Sequence, residues 1–180
     1  MSSSERRGAA LRFAAKRWLH RLNTAVAEQL AVNRNGQPQQ MLLVQSYRQS
    51  LHAAPDTLPA FDAAGFRTYS QTDDDGKILY ILALIGDGPR RCVELGFNKP
   101  MGANTTNLIV NWGWQGLGIE GDPASVRESN LWFRRNRGTM FDPPRIIDEW
   151  ISPENLGAVL ERESFADDVD LVSIDVDGAD

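Results

Sequence analysis

The sequence has a single cysteine and no long apolar run. Cys92 is the only cysteine among the 180 residues, so an internal disulfide is excluded, and a reducing cytoplasm is the expected setting. Because Cys92 lies in an apolar stretch, we expect it to fill the core. No apolar run approaches the ~18 residues that a transmembrane helix needs, and no secretory signal is evident. The sequence therefore predicts a cytoplasmic protein without a transmembrane segment.

Basic residues are scarce beyond the N-terminal quarter of the chain. The net charge is −5, yet residues 1–48 contain eight Lys or Arg and only two Glu. The remainder is strongly acidic, which argues against nucleic acid as a partner of the main domain. With 42% hydrophobic and 24% charged residues, the chain is expected to form one globular domain with its own core.

The basic N-terminal segment is typical of an amphipathic helix. From Arg7 to Val32, apolar residues recur at helical spacing and the basic ones fall largely between them. We interpret residues 1–64 as a basic helical extension and linker. Three roles stay open: docking on the domain or on a second subunit of an oligomer, peripheral contact with an anionic membrane, and organellar targeting.

Helices and strands alternate regularly over residues 65–180. Strands are predicted near 91–95, 116–120, 145–151 and 170–175, and helices near 74–85, 105–111, 124–135 and 152–161. The acidic run 73–75 is interpreted as capping its helix rather than holding a metal, and Asp122 and Ser152 carry the capping signals of the last two helices. This alternation predicts an α/β fold, with a parallel sheet covered on both faces.

Residues 92–122 have the order of a nucleotide-binding unit. The first strand ends in Glu94 and Gly96, and the second ends in Glu120, 24 positions beyond Gly96. A glycine after a buried strand lets a ligand approach the backbone, and a carboxylate roughly 20 residues later binds ribose hydroxyls. The loop lacks the three glycines of a dinucleotide site. Glu94 would repel a pyrophosphate but suits an ammonium, so the pattern favours S-adenosylmethionine over NAD.

The last predicted strand ends in Asp175, with Asp177 two residues later. Ligands bind beyond the carboxyl ends of the strands in an open α/β sheet, so Asp175 should face a substrate pocket. Either carboxylate would serve as a general base for a hydroxyl or as a ligand of a divalent metal ion. The alternative is a structural role in a turn, for which Asp177-Gly178 is a favourable pair.

These pieces together resemble the FkbM-like group of class I S-adenosylmethionine-dependent methyltransferases. The resemblance rests on the order and spacing of GFRTYSQTDDDGKILYIL, CVELG, ANTTNLIVNWGWQGLGIEGDP, ISPENL and DLVSIDVDGAD. It implies a Rossmann-like three-layer sheet, S-adenosylmethionine as cofactor, and methylation of a hydroxyl on a small molecule or sugar. It implies that the cofactor is bound by Glu94, Gly96, Asn98, Asn104, Glu120, Gly121 and Asp122, and that Asp175 and Asp177 are catalytic.

Two features depart from that family. The family usually has an Asp-Gly pair where this chain has Lys99-Pro100, so weaker cofactor binding is expected. The alternation also stops after the fourth strand, whereas the family's sheet continues, so this strand is expected to be an unprotected edge and the chain to show little or no methyl transfer. The alternatives are a non-catalytic or remnant cofactor-binding protein, and a metal-dependent enzyme on the same fold.

Overall fold

Four short apolar segments lie side by side and form a parallel sheet. A computed structural model describes residues 36–176. The strands lie in the order β3-β2-β1-β4 and all pair in parallel. β1 and β2 are largely buried, which explains their apolar sequences. The strands are β1 (Arg91–Leu95), β2 (Gln115–Glu120), β3 (Arg145–Asp148) and β4 (Leu171–Ile174).

Helices cover both faces of this sheet. One core cluster joins four of the helices to the face that carries Cys92 and Ile146. A second cluster joins the last helix to the opposite face through Val93 and Leu117. The expected α/β fold, with a Rossmann-like three-layer arrangement, is thereby confirmed. The helices are α1 (Gln37–Ala53), α2 (Asp74–Ile85), α3 (Thr106–Trp112), α4 (Pro123–Arg135) and α5 (Leu156–Arg162), with 3-10 turns at Pro55–Thr57 and Phe61–Ala64.

Local hydrogen bonds set where the last helices and the third strand begin or end. Asp122 caps α4 as predicted, because its carboxylate accepts the N–H groups of Ala124 and Ser125. The predicted start of the last helix at Ser152 was wrong: Asn155 Oδ1 accepts the Ser152 N–H at 2.8 Å, which folds residues 152–155 into a turn before α5. β3 ends at Asp148, earlier than predicted, because its pairing with β2 ends there.

The acidic run 73–75 does not cap α2 in the way the sequence suggested. Asp73 occupies the N-cap position without a side-chain capping bond and pairs instead with Lys77 at 2.9 Å. The Asp74 carboxylate accepts the hydroxyl of Thr72. Asp75 turns into the protein and binds the backbone of residues 68–70. Only one of the three carboxylates is therefore buried.

A buried amide network fixes α1 against α3. Gln40 Nε2 donates to Asn107 Oδ1 at 3.2 Å, while Gln40 Oε1 accepts from Asn107 Nδ2 at 3.2 Å and from Trp112 Nε1 at 2.9 Å. Asn111 Nδ2 also donates to Asn107 Oδ1, at 2.7 Å. α1 begins at Gln37, inside the stretch 1–64 that was interpreted as an extension and linker, and the compact unit begins at the same residue.

Some predictions concern residues outside the described range. The amphipathic segment from Arg7 to Val32 and the second acidic residue of the last motif, Asp177, both lie there. Within residues 36–176, no helix combines the length and the apolarity that crossing a bilayer requires. Cys92 is buried and unpaired, so its predicted place in the core is confirmed.

Candidate functional site

Three acidic residues meet at the carboxyl edge of the sheet. Glu94 lies near the end of β1, Glu120 ends β2, and Asp175 directly follows β4. β2, β1 and β4 are adjacent parallel strands, so their carboxyl ends lie together. Asp175 is held there by its N–H, which donates to the Leu95 carbonyl at 2.9 Å. The structure thus brings Glu94, Glu120 and Asp175 to one edge, as the sequence predicted, while Asp177 lies outside the described residues.

Gly96 lets the loop after β1 turn tightly across this edge. Its φ of +77° lies in the left-handed region, and a Cβ at this position would lie 2.0 Å from the carbonyl oxygen of Asp175. Its N–H donates to the Ile119 carbonyl of β2 at 2.9 Å. The loop therefore runs in contact with both neighbouring strands, and only glycine fits there.

Glu94 is fully buried and holds the far end of the same loop. Its Oε1 accepts the Asn104 N–H at 2.9 Å, and its Oε2 accepts the Thr105 N–H at 2.9 Å and the Thr105 hydroxyl at 2.6 Å. Burial raises the pKa of Glu94, and the nearby charge of Asp175 raises it further, against the opposing effect of these donors. Both oxygens are engaged inside the protein, so in this structure Glu94 shapes the loop that a ligand would contact.

Glu120 is more accessible than the buried Glu94. Its Oε2 accepts the N–H of Asn98 and its Oε1 accepts the N–H of Asp122, each at 2.8 Å. Asn98 reaches this position with a left-handed φ of +49°. A carboxylate has about four acceptor positions, so Glu120 keeps capacity for two more donors while its orientation is fixed. That is the arrangement a vicinal diol requires.

Trp150 lies beside Glu120 and was not identified from the sequence as a site residue. It falls within the strand predicted near 145–151, but β3 ends at Asp148 and 81% of Trp150 is exposed. A Cβ on Gly121 would lie 2.3 Å from Trp150 Cε3, so the six-membered ring covers the Gly121 backbone and the rest of the indole faces solvent. The sequence feature that could have identified Trp150 as a site residue is its position just after β3, among acidic residues.

The remaining predicted residues lie around the same edge. Asn104 Nδ2 donates to the Ser173 hydroxyl of β4 at 3.2 Å, which ties the loop to a third strand. Asp122 uses its carboxylate to cap α4, and the Ser125 hydroxyl bond lowers the pKa of Asp122. Lys99 points away to Glu128, 3.4 Å from its carboxylate, and Pro100 is buried. The loop of residues 96–104 is therefore tied to β2 through Gly96, to β4 through Asn104 and to α4 through Lys99.

A cleft of about 240 Å³ lies at the opposite edge of the sheet, at the start of the strands. Its wall includes Arg91 and Phe165, and the guanidinium lies 4.2 Å from the ring centroid. Arg91 also donates to the carbonyls of Ser164 and Asp167. Arg145 of the same wall pairs with Glu163, and the cleft lies away from the strand ends, so we assign it no part in the site at the carboxyl edge.

Among residues 36–176, no three His, Cys, Asp or Glu side chains are grouped in a way that would hold a metal ion.

Comparisons with protein-family models, with curated proteins and with solved structures give no match. The FkbM-like resemblance therefore stays an inference from the sequence motifs.

Proposed function

We propose that this chain binds S-adenosylmethionine at the acidic carboxyl edge and, as an FkbM-like methyltransferase, methylates a hydroxyl of a small molecule or sugar. One observation carries the proposal. A carboxylate with fixed orientation and spare acceptor capacity, Glu120, lies next to an exposed aromatic ring, Trp150. A nucleoside needs these two features, one for its ribose hydroxyls and one for its base.

The charge of the edge favours a cationic ligand. Glu94, Glu120 and Asp175 lie on adjacent strand ends, and the basic residue of the loop, Lys99, is paired with Glu128. Such an edge attracts the sulfonium and ammonium of S-adenosylmethionine and repels a pyrophosphate.

The protein residues have a limited task in this chemistry. Bound S-adenosylmethionine supplies an already activated methyl group, so the chain has to bind, to align the acceptor and to receive one proton. Asp175, at the end of β4 and next to Glu94, is our candidate for accepting the proton of the acceptor hydroxyl. Asp177 lies outside the described residues and keeps the same predicted role.

Calorimetry with S-adenosylhomocysteine and, separately, with NAD tests the binding proposal. Glu120→Gln should weaken S-adenosylhomocysteine binding by about 1.5–3 kcal/mol, the value of hydrogen bonds to a charged group. Trp150→Ala should cost about 1–3 kcal/mol of base stacking. Glu161→Gln and Phe141→Ala are the matched controls, because each changes an exposed residue of the same type on another element.

Three results would contradict the proposal. These are tighter binding of NAD than of S-adenosylhomocysteine, an affinity of Glu120→Gln equal to that of Glu161→Gln, and no binding at all by the folded chain. A radiolabelled methyl-transfer assay with a panel of sugars and small alcohols then tests the catalytic part. Binding without transfer to any acceptor would favour the alternative of a non-catalytic cofactor-binding protein.

A further inference from the structure

Asp75 is a buried carboxylate outside the acidic edge, and it organises the segment that precedes α2. Only 1% of this residue is exposed. Its Oδ2 accepts the N–H groups of Thr68 and Tyr69 at 2.6 Å each, the N–H of Ser70 at 2.9 Å, and the Ser70 hydroxyl at 3.0 Å. Burial raises the pKa of Asp75, against these donors. Three successive amides therefore converge on one oxygen.

The segment held by Asp75 pairs with the loop after β1. The N–H of Gly102 donates to the Tyr69 carbonyl at 2.8 Å, and the N–H of Gln71 donates to the Gly102 carbonyl at 3.1 Å. Ser70 and Gly102 form a parallel bridge outside the main sheet. The loop is thus tied at its middle to residues 69–71 and at its end to Glu94.

No neighbouring carboxylate duplicates this contact. Asp73 pairs with Lys77, and Asp74 accepts the hydroxyl of Thr72; both lie at the surface side of the turn. Without Asp75, three N–H groups of residues 68–70 would lose their shared acceptor, and a buried donor without a partner is costly. Gly102, two residues before Asn104, would then be held in place only through the bonds of Glu94 at the end of the loop.

We propose that Asp75 is a positioning residue for the ligand-binding loop, acting through residues 68–71 and Gly102. The proposal rests on the proposed function in one respect, that the loop from Gly96 to Thr105 contacts the cofactor. It extends that function, because it places a determinant of affinity in the segment before α2, away from the acidic edge. The placement of the loop itself is a property of the unliganded chain.

Hydrogen exchange of the unliganded protein, resolved by NMR, tests this placement. In Asp75→Ala, the amides of Gly102, Asn104 and Thr105 should exchange about tenfold faster or more, the equivalent of one lost hydrogen bond. Amides within β1 and β2 should change much less. Asp75→Asn keeps one acceptor oxygen and should retain most of the loop protection, although it buries an amide in place of the second oxygen.

Asp170→Ala is the matched control. The Asp170 carboxylate also accepts three backbone N–H groups, from Gly88, Arg90 and Arg91, but at the opposite edge of the sheet. Asp170→Ala should lower stability without changing hydrogen exchange at Gly102 or affinity for S-adenosylhomocysteine. Asp75→Ala should instead weaken S-adenosylhomocysteine binding about tenfold, because the loop loses its order. Uniformly faster exchange in Asp75→Ala, or unchanged exchange at Gly102, would overturn the proposal.

A milder variant keeps the test decisive if Asp75→Ala does not fold. Ser70→Ala removes one of the four donors and leaves the backbone intact, so it should raise exchange at Gly102 by a smaller factor. No change there would count against the proposal. If the wild-type chain does not bind S-adenosylhomocysteine, the proposed function fails, while the exchange data still decide whether Asp75 places the loop.

Discussion

The hydroxyl of Thr105 donates a 2.6 Å hydrogen bond to Oε2 of Glu94, and so joins the residue before α3 to the interior of β1. The Thr105 N–H donates to the same oxygen. The loop between these residues is therefore closed at its base by the buried side chain of Glu94, which orders the loop. Glu94 thus orders the loop of the site through hydrogen bonds, whereas Glu120 presents its carboxylate to the ligand.

Gly96→Ala should destabilise the fold more than an ordinary left-handed glycine does. Gly113 has a similar φ of +68°, but a Cβ on Gly113 would have no atom within 4 Å, so Gly113→Ala should cost only the conformational term of about 1–2 kcal/mol. Gly96→Ala adds a clash with the Asp175 carbonyl and should cost about 2–5 kcal/mol. Urea unfolding measures the loss of stability in both variants. Equal losses would show that the loop shifts to accommodate the added Cβ of Gly96→Ala.

The buried Glu94 should give stability a defined pH dependence. Its folded pKa lies above the ordinary value of 4.5, so its contribution to the free energy of unfolding is largest below that pH and is lost as pH rises through the folded pKa. Glu94→Gln does not titrate. The difference in unfolding free energy, wild type minus Glu94→Gln, should therefore decrease from about pH 4 upward and then level off. A difference that increases with pH would contradict the upward shift.

The same experiment with Asp175→Asn tests the coupling between the two strand ends. The Asp175 charge contributes to the raised pKa of Glu94, so removing it should lower that pKa and reduce the decrease with pH. Glu161→Gln, an exposed change on α5, should leave the pH profile of the wild type unaltered. If Asp175→Asn also leaves it unaltered, the two carboxylates act independently.

Introducing an Asp-Gly pair at positions 99 and 100 should tighten ligand binding. Pro100 has no N–H and fixes φ, and Lys99 brings a positive charge to a loop that we expect to meet a cation. Lys99→Asp combined with Pro100→Gly should improve S-adenosylmethionine affinity about two- to fivefold, the size of a screened charge interaction. The single variant Lys99→Gln removes the charge and keeps Pro100, so it separates the effect of the charge from the effect of the turn. Calorimetry that shows no gain would mean that the present pair is neutral.

The free edge of β4 should promote association of the 180-residue chain. Within the described residues β4 pairs only with β1, and Val172 and Ile174 are 55% and 58% exposed. Val172→Lys should reduce self-association measured by analytical ultracentrifugation, because a charged side chain opposes pairing of an edge strand. Ile85→Lys, which replaces an exposed apolar residue at the end of α2, is the control. A wild-type monomer at every concentration would contradict the expectation.

The sequence predicted most of the fold and the meeting of Glu94, Glu120 and Asp175, because these follow from local patterns and parallel topology. Apolar runs marked the strands, and carboxylates at strand ends converge in any parallel sheet. The Asp122 cap was equally local. These features depend on residues close in the chain, so a single sequence contains the needed information.

Side-chain contacts between distant elements were not predictable in this way. Nothing in the run 73–75 indicates which carboxylate turns inward, since that depends on the backbone of residues 68–70. The exposure of Trp150 depends on its packing against Gly121, 29 residues earlier in the chain. The hydrogen bonds that engage both carboxylate oxygens of Glu94 likewise depend on how the loop returns to β1. Such details arise from tertiary packing, which periodicity does not encode.

The amide network around Gln40 has a consequence for how this protein can be dissected. A fragment that starts at residue 65, where the sequence motifs begin, would lack the partners of the Asn107 and Trp112 side chains and of the Asn111 carbonyl. Each lost hydrogen bond costs about 1 kcal/mol, and the apolar residues that cluster with Val44 and Tyr47 would be exposed to water, so the combined loss is large beside the stability of a small domain. The smallest autonomous folding unit therefore has to include the helix that begins at Gln37, as an integral wall rather than as a detachable extension.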